Sequence, residues 1–172
     1  MNASKTTGFA AHSNAERSNS VLESIRKLLD EKRISYKCWD HPPVRTSEEA
    51  AKIRGTPLES GAKALVLRSE GKFLMVVIAG DKKMDMKKVK KAIGSDRLTL
   101  ATPEEVLQVT HCIVGSVPPF GNLFGIPVYL DKSLLRNVII NFNAGKHGTS
   151  IAVSVDDYQK VVQPVLVDVA QE

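Results

Sequence analysis

Lys63-Ala64-Leu65-Val66-Leu67-Arg68-Ser69-Glu70-Gly71-Lys72-Phe73-Leu74-Met75-Val76-Val77-Ile78-Ala79 decides the fold class. Two apolar runs of strand length, Lys63 to Arg68 and Lys72 to Ala79, are separated only by a turn at Glu70-Gly71, so a hairpin is expected. In Gly61-Ala62-Lys63-Ala64-Leu65-Val66-Leu67, period-2 alternation puts Lys63, Leu65 and Leu67 on one face and Ala62, Ala64 and Val66 on the other. A lysine so placed either snorkels to solvent or ends in a cleft. There it is a fixed positive charge with three donors, suited to a phosphate, a ribose hydroxyl or a developing oxyanion.

Helices and strands interleave on both sides of the hairpin. Ser20-x-x-Glu23 reads as a capping box opening a helix whose apolar face is Val21, Leu22, Ile25, Leu28 and Leu29. Ile34 to Asp40 reads as a strand, followed by His41-Pro42-Pro43, and Thr46-x-x-Glu49 opens a short helix ending near Gly55. Met86, Val89 and Ile93 mark the buried side of a helix ending at Gly94, and Thr102-Pro103-Glu104-Glu105 starts another with proline at its first position. Strands are expected at 110–115, 127–130, 137–142, 150–153 and 164–169, with a helix near 154–162 entered by Ser154-x-x-Asp157. Hairpin-length links among the strands exclude an all-parallel sheet. The expected fold is α/β of the α+β kind, a mixed sheet with packed helices.

At 172 residues, 42% of them apolar, the chain is long enough to bury one core without staples. Residues 1–19 hold almost no large apolar side chains and are expected to be a flexible extension, with 20–172 as the folded domain. A transit peptide is the competing reading of that extension, but Lys5 and Arg17 are too few and scattered for a basic amphipathic helix. Cys38 and Cys112 form no disulfide framework and no Cys-x-x-Cys pair, which favours a reducing compartment. Without a signal-peptide core or a run of membrane-spanning length, a soluble, cytoplasmic protein is expected. The net charge of +5 favours phosphate-bearing partners.

Two further stretches carry chemistry. Gly115-Ser116-Val117-Pro118-Pro119-Phe120-Gly121 follows an expected apolar strand, His111 to Val114, and its prolines and glycines fix a backbone able to present N–H groups to a ligand carbonyl. An ordinary Pro-rich turn is the alternative. Asn141 to Ile151 is a polar, glycine-containing link between two apolar runs, for which a plain hairpin with left-handed glycines is the alternative. Gly55 to Lys63 lacks the Gly-Lys-Ser/Thr adjacency of a phosphate loop. His111 and Cys112, as neighbours on one strand, would face opposite sides, and His41, His111 and His147 have no metal-ligand spacing.

Taken in order, the lysine of GAKALVL, the loop GSVPPFG and the segment NAGKHGTSI resemble the YbaK/ProX family of aminoacyl-tRNA deacylases, over about Val21 to Val167. The resemblance implies a curved, barrel-like mixed sheet flanked by helices. It implies hydrolysis of the ester of mischarged tRNA by a free-standing protein or a domain attached to prolyl-tRNA synthetase, with no cofactor and no metal. Lys63 and Gly115 match the catalytic positions: Lys63 would hold the terminal nucleotide or the substrate carbonyl, and the Gly115 N–H would contact that carbonyl. Pro118, Pro119, Phe120, Gly121, Asn143, Gly145, His147 and Ser150 fall at substrate-binding positions. Water would be the nucleophile, activated by a hydroxyl of the terminal ribose.

The cysteinyl-tRNA branch of that family carries a serine and, seven residues on, an aspartate where this chain has Asn143 and Ser150. The implied substrate is therefore a small amino acid such as alanine on tRNA-Pro or a related tRNA. Mischarged tRNA is the expected partner, together with an aminoacyl-tRNA synthetase or synthetase complex; DNA and membranes are not. The lysines at 82, 83, 87, 88, 90 and 91 read either as a solvated helix face or as a tRNA-backbone contact, for which Lys87, Lys88 and Lys91 are the candidates. A non-catalytic tRNA-binding or synthetase-associated subunit and a different small-molecule hydrolase are the other readings.

Overall fold

The computed structural model describes residues 13–172. Its central hairpin pairs β2 (Ala62–Ser69) with β3 (Lys72–Ala79), in register from Ala62 opposite Ala79 to Ser69 opposite Lys72. Glu70 and Gly71 both have positive φ, 51° and 80°, which gives the turn the twist that a two-residue hairpin needs. β3 is buried on both faces. Met75, Val77 and Ala79 enter one hydrophobic core while Leu74, Val76 and Ile78 enter a second, which explains its unbroken apolar run.

Around this hairpin lie α1 (Asn14–Glu31), β1 (Tyr36–Asp40), α2 (Ser47–Arg54), α3 (Met86–Ile93), β4 (Leu98–Leu100) and α4 (Pro103–Thr110). After a long loop follow β5 (Val128–Asp131), β6 (Ile139–Asn143), β7 (Thr149–Ser154), α5 (Val155–Val162) and β8 (Val165–Val167). Five strands form a mixed sheet in the order β4-β2-β3-β5-β8, with β3, β5 and β8 parallel. The other three form an antiparallel sheet, β1-β7-β6. A bridge between Gly61 and Asn141 connects the two, and the Asn141 amide donates to Ser60 Oγ at 3.0 Å beside it. Both sheets face the larger core, into which α1 inserts Val21, Leu22, Ile25 and Leu29; the sheets do not close into a barrel.

The smaller core lies under α3, whose Val89 packs with Leu67, Leu74, Val76 and Ile78. Asp131, 2% exposed, shuts it by accepting from the backbone N–H groups of Ser133, Val169 and Ala170 at 3.0, 2.7 and 3.1 Å. Burial alone would raise the Asp131 pKa, but these hydrogen bonds outweigh it and hold the carboxyl below its ordinary value. No described helix is long and apolar enough to cross a membrane.

Three sequence expectations are corrected. Helix α1 opens at Asn14, where Ser13 and Glu16 form a reciprocal capping box, so Ser20-x-x-Glu23 is a second copy of the same signature inside the helix. The expected extension 1–19 is therefore helical from Asn14; its first twelve residues, with the transit-peptide reading, lie outside the described residues. No strand forms at 110–115. Helix α4 runs to Thr110 and ends on His111 in the left-handed region, φ 59°, after which Thr110 Oγ1 accepts from the Cys112 N–H. Cys112 turns into the core and Ile113 and Val114 are left half-exposed. Strand β4 is the unanticipated element, three residues that pair with the end of β2.

Candidate active site

Two of the three motifs are joined through backbone carbonyls. Three successive carbonyls of the Gly115 loop are each held by the segment between β6 and β7. His147 Nε2 donates to Val114 O at 3.2 Å, Asn143 Nδ2 to Gly115 O at 2.8 Å, and the Gly145 N–H to Ser116 O at 3.0 Å. In a trans peptide the N–H points opposite to its carbonyl. Clamping the carbonyls of Val114 and Ser116 thus turns the N–H groups of Gly115 and Val117 the other way, and neither finds an acceptor among the described residues. Both residues line a cleft of about 120 Å³ between this loop, α2 and the start of β2.

Beneath the cleft the loop is bolted down by aromatics. The Tyr158 hydroxyl donates to Pro119 O at 2.6 Å, and the Phe120 ring packs edge-on against Tyr158 and tilted against Phe142. Pro118, Pro119, Phe120 and Gly121 are all buried, and none lines the cleft. A Cβ on Gly121 would lie 2.6 Å from Val128 Cγ2, so this glycine permits a close approach to β5. Gly145, φ 87°, likewise packs against Ser18 and Val21 of α1. Of the expected substrate-binding residues, Asn143 alone lines the cleft; His147 and Gly145 hold the loop's carbonyls from behind, and Ser150 is fully buried.

Lys63 lines the cleft at the start of β2, half-buried, with Nζ donating to Lys82 O at 2.7 Å. That bond uses one of its three N–H donors. Burial lowers its pKa from the ordinary ammonium value, partly opposed by the charges of Glu48 and Asp81.

Arg54 is the residue that sequence reasoning missed. Its Nε donates to Ser150 Oγ and its Nη2 to Asn143 Oδ1, each at 2.8 Å. No carboxylate pairs with it among the described residues, and burial brings its pKa down to about 10, so it stays charged at neutral pH. Helical patterning would have buried Ile53, yet Ile53 is 42% exposed while Arg54 shares a face with the buried Ala50. The one available signal was that arginine sits at i+4 from Ala50, where an apolar residue was due. His41 completes the network: Nδ1 donates to Pro42 O at 2.8 Å, and Nε2 hydrogen-bonds with the Ser150 hydroxyl at 2.7 Å. The chain His41, Ser150, Arg54, Asn143 and Gly115 is thus continuous. The positions that depart from the cysteinyl branch serve here to fix the loop.

Among the described residues the cleft lining contains no His, Cys, Asp or Glu; its ionisable members are Arg45, Arg54 and Lys63. It is a cationic pocket with two free backbone donors, suited to charge developing on an acyl oxygen. The family model of the aminoacyl-tRNA editing domain matches residues 41–161, which takes in α2, Lys63, the Gly115 loop and the β6–β7 segment.

The chain belongs to the aminoacyl-tRNA editing domain family. Similar members of this family include the multifunctional Ser/Thr-tRNA deacylase ProXp-y of Escherichia coli, 33% identical over 82% of this chain and 87% of that protein. The prolyl-tRNA editing protein ProX of Acetoanaerobium sticklandii is 30% identical over 82% of this chain and 90% of its own length. A proline–tRNA ligase of Staphylococcus aureus is 28% identical over 90% of this chain, which spans 28% of that longer enzyme. Among solved structures, a candidate trans-editing enzyme for prolyl tRNA synthetase superposes with a TM-score of 0.78 at 26% identity, over 95% of this chain and all of the other. The editing-domain fold expected from the sequence is the one found.

The lysine helix α3 packs on the smaller core, which covers the face of β2 that carries Leu65 and Leu67. Lys87 and Lys91 are exposed, whereas Lys88 Nζ donates to Ala170 O at 2.9 Å and lies 3.9 Å from Asp168.

Proposed function

We propose that this editing-domain protein removes small, wrongly attached amino acids from tRNA, alanine first among them, with Lys63 and the N–H groups of Gly115 and Val117 as its catalytic donors. The enzyme is an aminoacyl-tRNA deacylase, a hydrolase of the aminoacyl ester. The clamp on the carbonyls of Val114, Gly115 and Ser116 carries the mechanistic reading, because it fixes two free donors at the cleft beside a cation. An aminoacyl ester is already activated, so positioning and oxyanion stabilisation suffice. With no side-chain base in the lining, the attacking water takes its activation from the substrate's own ribose hydroxyl.

Size selection follows from the walls. Ala50, Ala51, Ala62 and Ala64 line a volume that admits a small side chain and crowds a larger one. A steric sieve of this kind discriminates by about 10- to 200-fold per methylene, enough for a second check after a synthetase has erred. The hydroxyls of Thr46, Ser47 and Thr56 in the same lining extend the reading to seryl and threonyl esters, in keeping with the name of the Escherichia coli relative. Likeness to the ligase supports an aminoacyl-tRNA synthetase as a partner.

Deacylation of a panel of alanyl-, seryl-, threonyl-, cysteinyl- and prolyl-tRNAs tests the proposal. Hydrolysis of the alanyl, seryl and threonyl esters with the prolyl ester spared is expected. Equal hydrolysis of all five would remove the sieve, and no hydrolysis would favour a non-catalytic tRNA-binding role.

A further inference from the structure

The outer face of the β1-β7-β6 sheet presents an open groove of about 880 Å³ beside the cleft. Strand register sets its floor, because Lys37 opposite Ala152 and Asn141, and Trp39 opposite Ser150, point away from the core that takes Tyr36 and Cys38. Trp39 is the chain's one tryptophan. It belongs to neither hydrophobic core, packs against no other ring, and its indole N–H has no acceptor among the described residues. A large aromatic left half-buried over a sheet with small neighbours is a platform rather than packing.

Resting on the deacylase reading, we propose that this groove holds the unpaired nucleotides at the 3′ end of the tRNA, with a base stacked on Trp39 and phosphates met by Lys37 and Arg54. The cleft is far below the ~300 Å³ at which pockets begin to hold drug-sized ligands, so it takes the amino acid and leaves the nucleotides outside. The groove is where they can go: Arg54, Thr56 and Pro57 line both spaces. Charge agrees. Among the described residues Lys37 and Arg54 have no carboxylate partner, and the groove's one acidic residue, Asp157, lies in the first turn of α5 with its carboxylate 3.8 Å from Lys160. Aromatic stacking with backbone cations is how proteins grip single strands without reading their sequence. The exposed Val138 and Ile139 on the rim are what a protein partner would use instead.

Because Trp39 is the single tryptophan, its emission reports the groove directly in the unaltered protein. Titration with the uncharged 3′-terminal tetranucleotide of tRNA should quench it saturably, and the same strand held in a duplex should not. Trp39→Ala should raise the KM for mischarged tRNA on the order of tenfold with kcat kept, and Trp39→Phe should recover most of that loss. Lys37→Ala should flatten the salt dependence of binding by about 0.7 of a unit per phosphate lost. Absence of quenching, or an unchanged KM in Trp39→Ala while the wild-type protein hydrolyses mischarged tRNA, would overturn the proposal. Quenching by a synthetase and not by the tetranucleotide would overturn it in favour of a protein-docking face. Quenching by the tetranucleotide with no mischarged tRNA hydrolysed would uphold the groove and sink the deacylase reading alone.

Discussion

Lys63 combines a half-buried ammonium, a bond to the Lys82 carbonyl and two donors left for the cleft. Lys63→Ala removes one hydrogen bond and relieves one buried charge, opposing effects that should leave stability within about 1 kcal/mol. Deacylation should fall about a hundredfold or more, as when an oxyanion donor is lost; steady-state kinetics on the preferred mischarged tRNA check this. Gly115→Ala is the harsher change. At φ 89° a Cβ is strained and would lie 3.2 Å from His147 Nε2, so a loss of about 1–2 kcal/mol should show in urea melts. If its N–H meets the oxyanion, kcat should drop more than KM rises. Cys112 predicts a pH effect of known sign. Burial raises its thiol from 9.0 to about 11, so the folded chain keeps a proton that the unfolded chain releases. Stability from this group is complete below about pH 9 and is lost as pH rises through about 11, by up to about 3 kcal/mol. Buried Tyr158 acts in the same direction, so the contribution of Cys112 is the part of the alkaline loss that Cys112→Ala abolishes.

Among the elements, α3 offers the clearest test of a charged face. Neutralising Lys87 and Lys91, both exposed, should lower the slope of log affinity against log salt by roughly 1.4 to 1.8 if each meets a phosphate, and turnover at saturation should survive. Titrations of tRNA at several salt concentrations measure it. Lys88 belongs outside that set, since its bond to Ala170 O ties down the C-terminal segment. Caps and turns with local chemistry were legible in sequence: Thr102-Pro103 before α4, Gly55 and Gly94 after α2 and α3, and Glu70-Gly71 between β2 and β3 all sit where expected. Signals that repeat or compete misled. The capping box occurs twice at the start of α1, and the β-branched and apolar run from Thr110 to Val114 gave way to the side-chain hydrogen bonds of Thr110. Lys63, Gly115 and Asn143 were legible at the site because their motifs are contiguous. Arg54 was not, because its partners Ser150 and Asn143 are remote in the chain and only folding shows that it is buried.

On the scale of the whole molecule, the two cores share β3, and the site sits where the loops of both sheets meet. The order of assembly follows from that topology. Lys63 comes from a hairpin closed by a two-residue turn, the fastest kind of β pairing, whereas the Gly115 loop lies in the segment 80–127, whose ends are drawn together only when β5 docks beside β3. Strand β1 is slower still in prospect, since Tyr36 must find Val153 across most of the chain. Refolding should therefore show backbone ellipticity recovering ahead of Trp39 emission, with hydrolytic activity tracking the tryptophan. Simultaneous recovery of all three signals in stopped-flow would mean that the remote strand pairing is already present at the rate-limiting barrier. With the predicted lag, a newly synthesised chain would own its lysine well before it could use it, and would stay inert toward every tRNA until its last long-range strand had closed.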